Sequence, residues 1–248
     1  MQTVLITGCS SGFGLETARY FLDQGWRVIA TMRTPRTDLL PPSDRLKLIA
    51  LDVTDAASIA RAVQEAGPID VLVNNAGIGM LNALEGTPME VTRDVFATNT
   101  LGTIAMTQAL LPQFRERKAG VVINVTSSVT LKSLPLLSVY TASKAAVNAF
   151  TESLALELAQ FGVRACLVLP GRAPTTRFGE NARERIGDFP APYAAYAGKV
   201  FEGLRDTTTP TTSSIAVAEA VWHAATDPNS PTRIPAGDDA VEVFNARR

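Results

Sequence analysis

The sequence has few of the residues that build metal centres and disulfide frameworks. Among its 248 residues there are two cysteines and one histidine. Cys9 lies in a glycine-rich turn and Cys166 in an apolar run, so we expect two unpaired thiols, which suits a reducing cytoplasm. Neither cysteine forms a ligand pattern with the lone His223, so we predict no metal site.

An excess of basic residues and a long hydrophobic run are also missing. Lys plus Arg number 23 and Asp plus Glu 24, so the net charge is −1 and nucleic acid is not an expected partner. No apolar run reaches the ~18 residues of a membrane span. Residues 1–7 lead straight into a predicted strand without a basic start and an apolar stretch, so we expect no signal peptide.

Short apolar runs alternate with longer amphipathic segments through most of the chain. The runs are rich in Val, Ile and Leu, as in strands covered on both faces. They predict strands at 3–7, 27–31, 47–51, 70–73, 120–125, 163–169 and Thr232–Ile234. The amphipathic segments predict helices at about 13–24, 55–66, 89–117, 138–161 and 214–226. This alternation predicts an α/β fold with a doubly wound parallel sheet of about seven strands.

One long segment, 172–212, interrupts this alternation with four prolines, at 174, 190, 192 and 210. A connection of this length inside a compact domain is usually functional. It follows the carboxyl end of a predicted strand, where doubly wound sheets bind their ligands. We therefore predict that residues 172–212 form a lid over the substrate.

A glycine-rich turn, GCSSGFG at residues 8–14, joins the first strand to the first helix. Its glycines allow close approach of the backbone to a diphosphate, and the helix N-terminus offers N–H donors and positive potential. The spacing is Gly-x3-Gly-x-Gly and not the commoner Gly-x-Gly-x-x-Gly. By itself the pattern leaves a purely structural turn open as an alternative.

Three further motifs occur in the order in which one enzyme family carries them. Asp52-Val53 ends the third strand, Asn-Asn-Ala-Gly at 74–77 follows the fourth, and Tyr140-x3-Lys144 begins a long helix. With Thr7 and the glycine turn, they resemble the short, single-domain branch of the short-chain dehydrogenase/reductase family. A simple strand-end cap is the alternative for Asn74 and Asn75. The resemblance implies a single dinucleotide-binding Rossmann domain over residues 1–248.

The resemblance also implies which residues contact the cofactor. These residues are Gly8, Ser10, Ser11, Gly12, Phe13, Gly14, Arg33, Asp52, Val53, Asn75, Ala76, Gly77, Tyr140, Lys144, Pro170, Gly171 and Thr175. Met32 stands where similar NAD enzymes carry Asp, and Arg33 follows it with a guanidinium suited to a 2′-phosphate. Ser11 faces the same phosphate in similar proteins. We therefore predict NADP(H), with a solvated surface role as the alternative for Arg33.

The implied catalytic residues are Ser127, Tyr140, Lys144 and Asn99. Tyr140 and Lys144 share one helix face, and a nearby ammonium favours the phenolate form of Tyr140. The resemblance implies that Ser127 binds the substrate oxygen, and Ser128 is the alternative for this role. It also implies that Asn99 holds a water in the proton relay. Pro170, Gly171 and Thr175 resemble a segment that contacts the nicotinamide, although Ala173 and Pro174 depart from the family pattern.

These residues predict an oxidoreductase that transfers a hydride between NADP(H) and a carbonyl or secondary alcohol. A cofactor-binding regulator without turnover is the alternative, and an intact Ser-Tyr-Lys set argues against it. An epimerase or dehydratase fits poorly, since those proteins have longer chains and a different glycine spacing. Similar enzymes form dimers or tetramers through helices that match 89–117 and 138–161, and we expect the same here.

The predicted substrate is a hydrophobic or aromatic ketone or alcohol, because apolar side chains dominate the segments near Tyr140. Those expected at the pocket are Leu134, Leu136, Leu137, Val139, Phe178, Phe189, Tyr193, Tyr196 and Phe201. Four arginines in the predicted lid contact an anionic group or face water: Arg172, Arg177, Arg183 and Arg185. The residues leave the substrate's identity open.

Overall fold

A computed structural model describes residues 1–174, 176, 182, 189–205 and 208–247. Its strands are β1 (Thr3–Ile6), β2 (Arg27–Met32), β3 (Leu46–Ala50), β4 (Val71–Asn74), β5 (Gly120–Val125), β6 (Val163–Pro170) and β7 (Arg233–Ala236). They pair in parallel in the order β3-β2-β1-β4-β5-β6-β7. The predicted doubly wound parallel sheet of seven strands is thereby confirmed.

The helices of the described residues flank this sheet. They are α1 (Gly12–Asp23), α2 (Ala56–Ala66), α3 (Met89–Phe96), α4 (Gly102–Arg117), α5 (Ser138–Ala159), α6 (Ala194–Arg205), α7 (Ser214–Thr226) and α8 (Asp238–Asn245). The sequence pattern did not predict α6 or α8. The first lies in the proline-rich segment, and the second has only eight residues, too few for a clear helical period.

The two faces of the sheet each bury a separate apolar cluster. Val4 and Ile6 pack with α1 and α7, whereas Leu5 between them packs with α2, α4 and α5. Because both faces are covered, successive residues of β1 are all buried, which is why the strands appear as continuous apolar runs. Cys9 and Cys166 are buried and unpaired, as expected.

The predicted helix 89–117 is wrong in one respect, because a π-helical turn at Ala97–Leu101 separates α3 from α4. Here the Asn99 amide bonds to Ile78 and to Ser143 on α5. Gly102 lies so close to Val53 that an added Cβ would come within 2.8 Å of its Cγ2. Such π-helical turns are frequent at functional sites, and an apolar pattern does not reveal them.

The strand order reverses between β1 and β4. From β1 the chain runs outward through β2 and β3, and β4 then returns to the opposite side of β1. The segments that follow β1 and β4 therefore diverge, which leaves a crevice at their carboxyl ends. Residues 7–14 and 75–79 lie at this crevice.

Candidate active site

A cleft of about 520 Å³ lies at the carboxyl ends of β1 to β4. Eleven residues that the resemblance assigns to the cofactor line it: Gly8, Ser10, Ser11, Gly12, Phe13, Arg33, Asp52, Val53, Asn75, Ala76 and Gly77. Met32, Leu51, Thr54, Ile78, Gly79, Asp94, Ala97, Thr98 and Thr176 complete the lining. Sequence motifs located most of this cleft, and Asn99 was predicted within the π-helical turn, but Ala97, Thr98 and Thr176 gave no motif signal.

The glycine turn provides a cradle of backbone. Gly8 and Gly12 have positive φ angles of 75° and 58°, which favour glycine. Ser11 precedes α1 in an extended conformation, and its side chain makes no capping hydrogen bond. Since no side chain caps this end, the amides of the first turn suit an anionic group. Thr176 lies beside Gly12, with its Cβ 3.6 Å from where a glycine Cβ would stand.

Asn75 and Thr7 hold the two halves of the crevice together. The Asn75 amide nitrogen donates to the carbonyl oxygens of Thr7, at 3.0 Å, and Gly8, at 3.2 Å. The Thr7 hydroxyl accepts from the backbone N–H groups of Asn75 and Ala76. Asn75 thus lines the cleft while its side chain shapes the glycine turn. Gly14 contributes by packing, because a Cβ there would overlap the Asn75 amide and the Gly8 carbonyl.

The end of the cleft near β2 and β3 carries mixed charge. Arg33 is exposed there, and its positive charge helps to lower the pKa of Asp52. The larger cause is Thr54, whose hydroxyl and N–H both donate to the Asp52 carboxylate, at 2.7 and 2.9 Å. Asp52 is thus held by its own turn, and Arg33 is an exposed residue of the cleft lining.

Tyr140 and Ser127 meet at the start of α5. Their hydroxyls are hydrogen-bonded to each other, and both residues are at most 7% exposed. Burial raises the pKa of Tyr140, and the Ser127 bond offsets this only in part. The direction is opposite to the one expected from Lys144. The Tyr140 phenol therefore keeps its proton at neutral pH.

Lys144 lies one turn further along α5 and is also buried. Its ammonium donates to the Val125 carbonyl oxygen at 3.0 Å, at the end of β5. Burial lowers its pKa from 10.5 to about 8, so at neutral pH Lys144 is mainly charged. A Cβ placed on Gly77 would lie 3.4 Å from Lys144 Nζ and 3.2 Å from Asn99 Oδ1. Both polar groups thus reach the wall of the cleft.

Asn99 is 1% exposed, and its amide is fully engaged with protein groups. Oδ1 accepts from the Ile78 N–H at 2.8 Å, and Nδ2 donates to the Ile78 carbonyl and the Ser143 hydroxyl at 3.0 Å. These bonds join the loop after β4 to α5. The geometry gives Asn99 a supporting position between Gly77 and Lys144.

The backbone of Ser127 is held by Thr130, which is itself hydrogen-bonded to Asn148. The Thr130 hydroxyl donates to the Ser127 carbonyl at 2.8 Å and accepts from the Asn148 amide at 2.9 Å. Ser128, the rival of Ser127, begins a 3-10 turn at Ser128–Thr130 and is more exposed. The structure brings Ser127 to Tyr140.

Pro170 and Gly171 lie away from the cleft lining. Pro170 ends β6 beside Ala236 of β7, and the Gly171 N–H donates to the Thr212 hydroxyl at 2.9 Å. Thr175 lies outside the described residues. Arg172 bonds to the Gly203 carbonyl and to Thr209, so this arginine is used within the predicted lid.

The apolar surface around Tyr140 differs from the predicted set. Tyr140 packs with Leu137, Leu136, Phe201 and Leu81. Val139 belongs to a separate cluster with Met80 and Val95. Leu134 is 38% exposed and Tyr196 is 52% exposed. The rings of Phe189 and Phe201 pack edge to face, with their centroids 5.6 Å apart. Phe178, Arg177, Arg183 and Arg185 lie outside the described residues.

Comparison with known proteins identifies the family. The sequence profile described as short chain dehydrogenase matches residues 2–186. The 3-ketodihydrosphingosine reductase of Bacteroides thetaiotaomicron is 39% identical over 208 residues, which are 82% of this chain and 75% of that protein. Retinol dehydrogenase 8 of Bos taurus is 38% identical over 205 residues, 76% of this chain and 65% of the relative.

A solved structure of the same fold supports this family assignment. A serine dehydrogenase complexed with NADP+ has a TM-score of 0.83 and 29% identity, with 96% of this chain and 95% of that chain covered. The chain therefore belongs to the short-chain dehydrogenase/reductase family, a family of oxidoreductases. No helix within the described residues is long and apolar enough to cross a membrane.

Proposed function

We propose that this chain transfers a hydride between NADP(H) and the carbon of a ketone or secondary alcohol. The observation that carries the proposal is the buried Ser127–Tyr140 hydroxyl pair, with Lys144 one helical turn away. Lys144 Nζ in turn lies next to Gly77 in the wall of the cleft of about 520 Å³. A protein that only binds a cofactor has no use for a phenol held in this way. The names of the relatives, a keto-reductase and a retinol dehydrogenase, support the same reaction type.

The residues present fit a dinucleotide. The glycine turn exposes backbone next to a helix N-terminus that no side chain caps, which suits a diphosphate. The cleft extends from there toward Gly77 and Ile78, within reach of Lys144 and Asn99. When bound, the nicotinamide supplies the hydride for reduction or accepts it for oxidation.

The protein groups then handle the proton. In reduction, Tyr140 donates its proton to the substrate oxygen as the hydride reaches the adjacent carbon. The phenol is protonated at neutral pH, and burial, which raises its pKa, favours this form. Ser127 orients the substrate oxygen, and the Lys144 ammonium stabilises the negative charge that develops on Tyr140. Asn99 holds the backbone of Ile78, next to Gly77, which lies beside Lys144 Nζ.

The choice of NADP(H) depends on Arg33. It is the one cationic side chain among the described residues that line the cleft, and its neighbour Asp52 is engaged with Thr54. A guanidinium at this position suits the 2′-phosphate that distinguishes NADP from NAD. NAD is the second candidate, because a similar reductase from Brucella melitensis is complexed with NADH.

The proposed substrate is hydrophobic or aromatic. Tyr140 belongs to an apolar cluster with Leu81, Leu137, Val129, Leu136, Phe201 and Leu204. Such a wall offers contact to an apolar substrate and leaves the polar contacts to Ser127 and Tyr140. We also propose that residues 1–248 act as one domain with a lid at 172–212, in a reducing cytoplasm where Cys9 and Cys166 stay unpaired.

The test compares the wild-type chain with Tyr140→Phe in NADPH oxidation over a panel of hydrophobic ketones, aldehydes and polar keto acids. We expect turnover of hydrophobic ketones, and a loss of about 10²–10⁴-fold in kcat for Tyr140→Phe because its proton donor is gone. Calorimetry should find the Kd for NADPH nearly unchanged. Near-normal turnover in Tyr140→Phe would falsify the scheme, and NADPH binding without turnover in the wild type would favour the regulator.

A further inference from the structure

A hydrogen-bonded cluster joins both ends of the 172–212 segment to the C-terminal helix. One Asp239 carboxylate oxygen accepts from the Arg172 backbone N–H at 2.6 Å, and the other lies 2.7 Å from the Thr212 hydroxyl. The Thr212 hydroxyl also accepts from the Gly171 N–H, and the Thr212 N–H donates to the Arg172 carbonyl at 2.7 Å. Residues 171, 172, 212 and 239 thus form one anchor.

The anchor is tightly packed. Thr212 is 1% exposed. A Cβ on Gly171 would overlap the Asp239 carboxylate, and a Cβ on Gly237 would overlap the Thr212 side chain. Gly237 also has a φ of 94°, which favours glycine. Both glycines therefore permit the close approach that brings Asp239 to the two ends of the segment.

The Arg172 side chain connects this anchor to α6 and to Thr209, both within the 172–212 segment. Its guanidinium donates to the Gly203 carbonyl at 2.9 Å, near the C-terminal end of α6, and to the Thr209 hydroxyl. A cation at this end of a helix also interacts favourably with the helix dipole. The backbone of Arg172 is thus fixed by Asp239, while its side chain holds α6.

Helix α6 in turn forms part of the wall at Tyr140. Phe201 and Leu204, on either side of Gly203 and Glu202, pack in the cluster that contains Tyr140, Leu137 and Leu81. The connection from the C-terminal helix to the reacting phenol therefore runs through Asp239, Arg172 and α6. Asp239 is not among the described residues that line the cleft.

We infer that Asp239 and Arg172 are positioning residues that set the substrate-side wall at Tyr140 by fixing α6, and thereby determine which ketones fit. This inference rests on the proposed function. The carboxylate suits the role because one oxygen accepts from the Arg172 N–H and the other lies against the Thr212 hydroxyl, which also lies 2.9 Å from the Ala236 carbonyl oxygen. An amide at this position carries no charge, so the bond that its oxygen accepts from the Arg172 N–H is weaker than the bond to a carboxylate.

The test compares Asp239→Asn with Asp238→Asn, a matched change on the exposed neighbour in the same helical turn. We expect Asp239→Asn to raise KM for a bulky hydrophobic ketone about tenfold, because a charge-assisted bond is lost. The kcat, KM for a small ketone and Kd for NADPH should stay within about twofold. Asp238→Asn should match the wild type throughout.

Arg172→Gln provides a second variant, since it keeps the backbone bond to Asp239 and removes the bonds to Gly203 and Thr209. It should give the same rise in KM for the bulky ketone alone. The inference is overturned if neither variant differs from Asp238→Asn. It is also overturned if Kd for NADPH and both KM values rise together, because Asp239 would then support the whole fold.

Hydrogen–deuterium exchange separates this inference from the proposed function. In Asp239→Asn, the amides of α6 (Ala194–Arg205) should exchange faster, while those of α1 and the central strands keep the wild-type rate. This readout needs no turnover. If the wild type reduces no ketone, the proposed function fails while the exchange result still tests the anchor. Unchanged exchange in α6 would contradict the anchor even in an active enzyme.

Discussion

Arg33 lies exposed at the rim of the cleft, three residues from a second exposed arginine. Arg36 is ion-paired with Asp38 at 2.6 Å and does not line the cleft, so it provides a matched control. The two side chains have the same charge and differ in position. The preference for NADPH over NADH should therefore depend on Arg33 and not on Arg36.

We predict that Arg33→Gln lowers kcat/KM with NADPH by roughly 10- to 100-fold and leaves the value with NADH nearly unchanged, because a charge-assisted bond to the 2′-phosphate is lost. Arg36→Gln should leave both values at the wild-type level. Steady-state kinetics with each cofactor measure this. A wild-type preference for NADH would contradict the assignment of NADP(H).

Lys144 is a buried cation whose charge destabilises the folded chain. Its pKa of about 8 lies below the value of 10.5 in the unfolded chain. Below pH 8 both states are protonated, and folding bears the full cost of burying the charge. Between pH 8 and 10.5 the unfolded state holds more protons, so this contribution to stability rises with pH.

Lys144→Met should consequently be more stable than the wild type at pH 7, by up to about 3 kcal/mol less the loss of the bond to Val125. The difference should shrink when both proteins are unfolded with urea at pH 9.5. Tyr140 and Cys9 are present in both proteins, so their contributions largely cancel in the difference. A difference that does not change with pH would show that Lys144 carries no perturbed pKa.

At the scale of elements, two glycines in helices have opposite surroundings. Gly14 on α1 is packed so tightly that a Cβ would overlap the Gly8 carbonyl and the Asn75 amide. Gly198 on α6 has no neighbouring atom within 4 Å of an added Cβ. Substitution by alanine should therefore change the free energy of unfolding in opposite directions at the two positions.

We predict that Gly14→Ala lowers the free energy of unfolding by about 1–3 kcal/mol, because α1 must move away from the crevice. Gly198→Ala should raise it by up to about 1 kcal/mol through helix propensity. Thermal unfolding of the chain without cofactor compares the two, at about 2–4 °C per kcal/mol. Equal effects would mean that α1 tolerates a side chain at the glycine turn.

At the scale of the whole molecule, exposed leucines lie on the helices that we propose for assembly. Leu156 on α5 is 82% exposed, and Leu101 before α4 is 61% exposed. Exposed apolar side chains on these helices are consistent with burial against a second copy in a symmetric oligomer. Ile215 on α7 is 42% exposed and lies outside those helices, so it provides the control.

We predict a mass in solution of two or four times 26.4 kDa by sedimentation equilibrium. Leu156→Glu should weaken assembly at least tenfold in Kd, because a charge would be buried at the interface. Ile215→Glu should assemble as the wild type does. A monomeric wild type would show that the resemblance does not extend to quaternary structure.

Local patterns were sufficient to predict the sheet and most of the cleft. The apolar runs located all seven strands, since strands buried on both faces have no competing polar pattern. The glycine turn and the motifs at 52–53 and 74–77 located ten residues of the cleft lining, and Arg33 after the second strand is the eleventh. The π-helical turn at Ala97–Leu101 was missed, because a single extra residue in a turn hardly changes apolar periodicity.

What the sequence determined by itself was the alternation of strands and helices and the spacing of Tyr140, Lys144 and the glycines, because these depend on neighbours in the chain. Only the tertiary structure decided the rest. It bonded Ser127 to Tyr140, placed Val139 in a separate apolar cluster, raised the pKa of Tyr140 by burial, and brought Asp239 to both Arg172 and Thr212. These outcomes depend on groups up to 67 residues apart, which only packing brings together.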